Sequence, residues 1–228
     1  APTLYYYCTQ HSGMGGQANT NSTLGSSNFD GSIQSTVKAN TTAGFSIAAW
    51  TSDGQGSPTS FGHGLGVKPD ILIIKNRTGS SGNWQIWSQH FTNATNNFIS
   101  LNLTDGTQTA GAAMWGTINS SVVNFRHSAN SSNGNTMIGY FFSEVTGYSK
   151  FGSYTGNGSN DGTFVFTGFR PAFLICKRTS DTGNWGINDI KRDFNAEYGN
   201  DLSLYANSDS AETSSSSLNA DFLSNGFK

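Results

Sequence analysis

The chain is 228 residues long with a formal net charge of −2, and only 11% of it is charged. A balance so near neutral excludes the electrostatic footprint of a nucleic-acid binder, and no run of 18 apolar residues is present to cross a membrane as a helix. The 16 Phe, 8 Tyr and 5 Trp argue against disorder, and 28 Gly among runs of Ser, Thr and Asn point to β-sheet with many turns.

The first element expected is a short Tyr-rich strand at 3–8, which reads as the last strand of a sheet whose earlier strands are absent; it is too short for a signal peptide. Cys8, His11 and Met14 follow in C-x2-H-x2-M spacing on a strand-to-turn loop. A thiolate, an imidazole and a thioether so spaced are what a blue-copper centre asks of its sequence. The stretch resembles the copper-binding loop of cupredoxins, which implies Cys8 and His11 as equatorial copper ligands and Met14 as the axial one. A further histidine is required from an earlier strand, and the seven residues before Cys8 contain none. The expectation is a vestigial loop that binds no copper. Cys8 and Cys176 are the only cysteines, and Cys176 sits in an apolar strand, so no disulfide framework is expected.

Residues 16–43 read as a linker or irregular arm with a short strand at 32–37. From Phe45 the β signals are dense. Residues 45–51 alternate before the turn signal Asp53–Gly54, and the branched run 71–75 after Pro69 predicts a strand buried on both faces. Further strands are predicted at 84–87, 97–103, 122–126 and 136–145, then at 149–155, 164–167, 172–177, 185–188 and 202–206. Only 211–223 shows weak helical periodicity, enough for a turn or two.

The chain repeats itself. Pro69 and Lys75 recur as Pro171 and Lys177 at a spacing of 102, and Gly82, Asn83 and Trp84 recur as Gly183, Asn184 and Trp185 at 101. A period near 100 is about one small domain. The organisation expected is an arm at 1–43, a first β module at 44–146 and a second at 147–228. The second has no counterpart of the strand 137–142, because Asn124, Phe125 and Arg126 align with Gly226, Phe227 and Lys228. A module short of a core strand exposes an unpaired edge. Either the chain is a segment of a longer polypeptide, the favoured reading, or a neighbouring subunit donates the strand.

Several residues invite chemistry. His63 lies between glycines, but the second copy has Thr167 or Gly168 in its place, so a turn histidine, exposed or bonded to backbone, is expected. Lys75 and Arg77, repeated as Lys177 and Arg178, end a buried strand; a solvated end or local salt bridge is expected over an acidic ligand. Trp84 and Trp185 are glycan-stacking candidates if they stand on a rim, or core plugs if they do not. Asn157, Asn160 and Asp161 offer calcium oxygens, although a hairpin turn explains them as well. Asp181, Asp189 and Asp193 are near in sequence but have no repeated pattern. No nucleophile elbow, zinc-protease or P-loop motif is present, which argues against an enzyme.

Gly44, Phe45 and Ser46, the stretch from Gly62 to Asp70, and the run Gly147–Gly158 together resemble a module of tail-fibre-like and other surface proteins of marine tailed bacteriophages. The run 223–228 is similar to the start of that module's last segment. The likeness covers 44–228. It implies a non-enzymatic virion component exposed to the medium, host-facing, and homo-oligomeric, with a trimer the leading expectation because phage fibres commonly are trimeric.

The resulting expectation is an all-β protein of two tandem, jelly-roll-like sandwich modules behind an N-terminal arm. Its function is expected to be structural and adhesive on the virion surface, with other virion subunits and a host glycan or protein as partners. A secreted lectin or polysaccharide-active enzyme is the alternative. Copper is the one cofactor the sequence raises.

Overall fold

The computed structural model describes residues 4–7, 15–18, 25–54, 59–78, 82–126, 134–159, 161–192, 202–214 and 220–228. These residues are all-β. The helical turn among them is a 3-10 turn at Thr41–Ala43, whose start is capped by the Asn40 side chain accepting from the Ala43 N–H.

Strands β1 (Leu4–Tyr7) and β2 (Gly15–Ala18) form a separate antiparallel hairpin. The Tyr-rich strand thus has a partner within the chain. Strands β3 (Ser26–Asn28), β4 (Ser35–Asn40) and β5 (Phe45–Thr51) then pair in succession. Residues 25–40 are therefore not linker: they form one margin of the main sheet, with Val37 buried. Their polar sequence is compatible with that position because only alternate residues, Ser35 and Val37, face inward.

The first repeat continues with β6 (Thr59–Gly62), β7 (Ile71–Asn76), β8 (Gln85–Ser88), β9 (Asn97–Ser100), β10 (Gln108–Thr109), β11 (Trp115–Ile118), β12 (Val122–Phe125) and β13 (Thr136–Phe142). Eight strands make one sheet in the order β10-β9-β8-β7-β13-β5-β4-β3, and β11-β12-β6 make a second. The core lies between the two sheets. Ala48, Trp50, Leu72, Ile74, Trp87, Met137 and Phe141 come from the large sheet, and Phe61, Trp115, Val123 and Phe125 from the small one. This is a β-sandwich. β7 alternates between fully and partly buried residues, so Leu72 and Ile74 face the core while Ile71 and Ile73 lie on the opposite, outer face.

The second repeat holds β14 (Val165–Phe166), β15 (Phe173–Lys177), β16 (Trp185–Asp189), β17 (Leu202–Tyr205), β18 (Thr213–Ser214), β19 (Phe222–Leu223) and β20 (Gly226–Phe227). Its sheets β15-β16-β17-β18 and β14-β20-β19 repeat the order of β7-β8-β9-β10 and β6-β12-β11. Register repeats too: Ile73 pairs with Ile86 and Ile175 with Ile187, while Ile86 pairs with Ile99 and Ile187 with Leu204. Gly66 and Gly168 share a left-handed backbone, φ +79° and +83°. Across the second sheet the Thr167 N–H donates to Asn225 O at 3.0 Å as the His63 N–H does to Ser121 O at 3.3 Å, which puts Thr167 at the place of His63.

The repeats differ at one edge. β7 is flanked by β8 and β13, whereas β15 pairs with β16 and, among the described residues, with no strand on its other side. The strand expected at 149–155 is extended chain outside any ladder beyond one bridge, Val145 to Ser149. Its counterpart β5 reaches β7 only through β13, so without a β13 equivalent the segment has nothing to pair with. β15 is accordingly an edge strand rather than a central one. The helical turn expected within 211–223 is not formed in its described part, which carries β18 and β19.

Candidate functional site

The tryptophans of the repeated Gly–Asn–Trp sit in the same local clamp. The Trp84 N–H donates to Asn102 Oδ1 at 2.9 Å, and Asn102 Nδ2 donates to Asn83 Oδ1 at 2.9 Å. The Trp185 N–H donates to Asn207 Oδ1 at 2.7 Å, and Asn207 Nδ2 donates to Asn184 Oδ1 at 2.8 Å. Lys75 Nζ donates to the Gly82 carbonyl, as Lys177 Nζ does to that of Gly183 at 2.9 Å. The paired lysines therefore close their own hairpin loops. Burial, then repulsion from Arg178, holds the Lys177 ammonium below its ordinary pKa.

What the two rings touch is different. Trp185 is buried against the outer face of the first repeat, packed with Ile86 and Ile99 and flanked by Ile71, Ile73, Phe91 and Leu101. Its indole N–H donates to the Ser100 carbonyl at 2.9 Å. Two backbone bonds and one from a side chain extend this seam: the Thr107 N–H to Thr179 O at 2.7 Å, the Gly183 N–H to Thr104 O at 2.8 Å, and Lys177 Nζ to Thr104 O at 3.0 Å. Gly106 is required here, since a Cβ would meet Thr179 O at 2.7 Å. Trp185 is thus neither a rim residue open to sugar nor a plug of its own core; it is the strut between repeats. Trp84 is half-buried, stacked on Tyr140 with centroids 6.2 Å apart and lying under Lys75 at 5.9 Å.

Other sequence candidates resolve separately. Cys8, His11, Met14, Asn160 and Asp193 lie outside the described residues. His63 is buried and bonded to backbone through both ring nitrogens: Nδ1 accepts from the Leu65 N–H at 3.3 Å, so Nε2 carries the proton toward Asn119 O at 3.1 Å. Burial lowers its pKa from 6.5 and keeps it neutral. It is a core histidine stacked on Phe141. Asn157 and Asp161 belong to a turn tied by its own bonds, Asn157 Nδ2 to Asp161 O and the Ser159 N–H to Asn157 Oδ1, with Asp161 paired to Lys228. Asp189 pairs with Arg192 at 2.6 Å and Asp181 with Arg178 at 3.4 Å.

One cluster escaped the sequence reading. Asp70, His90 and Glu144 bring ligand atoms within 4.8 Å of one another. The carboxylates are already engaged: Asp70 accepts from Gln89 Nε2 and from the Glu144 N–H at 2.7 Å, and Glu144 from Lys150 and the Phe151 N–H. The cluster ties the end of β13 to the start of β7. Cys176 also gains a neighbour that spacing did not reveal. Tyr154 lies beside it, its hydroxyl pushed up to about 12 by burial and by the thiol, while burial raises Cys176 in turn.

An open groove of about 670 Å³ runs between 32–36, 49–51, Arg77 and Met137, without convergent titratable groups. Residues 18–228 match the family described as Domain of unknown function (DUF7483). No curated protein and no solved structure matches the chain.

Proposed function

This chain belongs to the family of that domain of unknown function, and we propose that it is a non-enzymatic structural component of a virion surface, a fibre or capsid appendage that works as an assembly of copies. One observation carries the reading. Among the described residues, nine of the eleven exposed large hydrophobic ones fall in the second repeat, including Phe166 at 64%, Phe173 at 59% and Ile175 at 42%. So much exposed apolar surface in one half, with Phe173 and Ile175 side by side on β15, marks surface made to be covered. Low charge suits close packing, because few ions need be desolvated. The internal bonding of His63 and of the Asp70 cluster supports a structural role for these titratable groups. The resemblance of 44–228 to phage surface modules supplies the virion and, with it, contact with a host surface.

Gradient-purified particles test this directly. Peptides of the chain are expected to co-migrate with infectious particles, and antibody against it to label their fibres or shell. Its recovery only in the soluble fraction of a lysate would overturn the reading. A lectin is the second reading, favoured by the groove beside Arg77 and its hydroxyl-lined wall. Saturable binding on a glycan array, lost in Arg77→Ala, identifies it.

A further inference from the structure

We propose that a second copy of the chain docks on the second repeat through Trp84, head to tail, repeating between chains the seam that Trp185 makes within one. The inference deepens the assembly reading above and rests on it in supposing that copies meet, but its test reads association and not residence on a virion.

The acceptor is present twice and filled once. In the first repeat the outer-face row Ile73, Ile86 and Ile99 runs across three paired strands, and Trp185 covers it, leaving Ile86 at 4% and Ile99 at 5% exposure. The same registers build the row Ile175, Ile187 and Leu204 in the second repeat, with Phe173 in the place of Ile71. There Phe173 and Ile175 are exposed and Ile187 and Leu204 only half-buried.

The hydrogen-bond acceptor is duplicated as well. The Ser100 carbonyl takes the Leu103 N–H of its turn at 3.3 Å and the Trp185 indole. Tyr205 holds the register of Ser100, and its carbonyl takes the Ser208 N–H at 3.3 Å, with a second lone pair to spare.

The donor is likewise present twice and used once. Trp84 is held by the same Asn clamp as Trp185, and no described residue accepts from its indole N–H. Spacing along the loop after β9 and β17 puts Asp209 at the place of Thr104, whose carbonyl receives Lys177. Lys75 of an incoming copy would therefore meet a carboxylate. Ala211 stands where Gly106 permits close approach of the loops. The loops must lie further apart between chains than within one, and the Trp84 ring with the Lys75–Asp209 pair carries the contact. Donor and acceptor are different surfaces, so copies add head to tail into a ring or filament, not an isologous dimer.

The test uses the whole chain and two complementary variants. Wild type is expected to sediment above the 24.3 kDa of one chain as concentration rises. Trp84→Ala keeps the acceptor and Ile175→Asp keeps the donor. Each alone is expected to stay monomeric, with association weakened about thirtyfold or more as for an interface anchor. Mixed, they are expected to give one-to-one heterodimers that grow no further. Cooperative unfolding of each variant establishes that it folds. As an independent check, Asp209→Lys is expected to weaken association and Lys75→Asp in the same mixture to restore it. A wild type that stays monomeric, or variants that fail to complement, would overturn the proposal. So would association that survives Trp84→Ala yet is lost in Ile175→Asp, since another element, such as a strand along the β15 edge, would then cover the face.

Discussion

Trp84 and Trp185 are equivalent in sequence and in their local clamp, yet their removal is expected to have unequal consequences. Trp185 is 6% exposed and donates to Ser100 O. Its truncation to alanine leaves a cavity over Ile86 and Ile99 and should cost about 3–5 kcal/mol, of which the hydrogen bond supplies roughly 1. Ser100 O keeps its bond from the Leu103 N–H, so no carbonyl is stranded. Trp84→Ala loses only a stack on Tyr140 and a cation above its ring, together about 1–2 kcal/mol. The effect on cooperativity should also differ. The only buried hydrophobic residues described in the second repeat are Trp185, Ala220 and Phe227, so it leans on the first. Urea unfolding of dilute protein by far-UV circular dichroism, with limited proteolysis alongside, is the assay. Trp185→Ala is expected to split one transition into two, with early cleavage in 147–228. Equal losses from the two substitutions, or an unsplit transition, would refute the idea of a strut.

His63 gives a pH dependence of definite sign. Its folded-state pKa lies below 6.5, so the unfolded chain binds a proton that the native state resists. Stability should be full above about 6.5 and fall below it by up to about 1.4 kcal/mol per pH unit; thermal unfolding from neutral to mildly acidic pH is expected to show that slope, and His63→Ala to lower stability and flatten it. Asp70→Ala removes the acceptor of the Glu144 N–H and of the Gln89 side chain and should cost about 1–3 kcal/mol in denaturant titrations, with Glu144→Ala milder. Copper added to the purified chain is expected to produce no intense thiolate-to-metal absorption, because the set Cys8, His11 and Met14 lacks a second imidazole; a stoichiometric blue species lost in Cys8→Ser would contradict this.

Strand identity was legible where pattern is strong. The alternation of 45–51 and the branched run after Pro69 became β5 and β7. The repeat raised the question of a β13 counterpart, and among the described residues β15 pairs with β16 alone. What failed was context beyond the local pattern. Residues 149–155 look like β5 but form no ladder, because strand propensity needs an adjacent partner. Residues 25–40 look like a linker or arm with one short strand at 32–37, whereas β3 and β4 both pair there, because β5 offers an edge and alternate positions tolerate polar side chains. Composition could not separate Trp84 from Trp185: the clamp is written locally in Gly–Asn–Trp, whereas the face each ring meets comes from another part of the chain. The Asp70 cluster joins residues up to 74 apart in sequence, a closeness that no spacing rule reveals.

The second repeat presents, uncovered, the face that the first repeat has filled. Amide hydrogen exchange by mass spectrometry, on dilute and on concentrated chain, tests it most directly. Dilute, the peptide over Phe173–Lys177 is expected to exchange much faster than the one over Ile71–Asn76, since β15 is an edge and β7 is flanked on both sides. On concentration, Phe173–Lys177 and the segment around Trp84 should slow together while Ile71–Asn76 stays unchanged. Equal exchange of the two strands in dilute protein, or association that protects neither Phe173–Lys177 nor the Trp84 segment, would contradict the account.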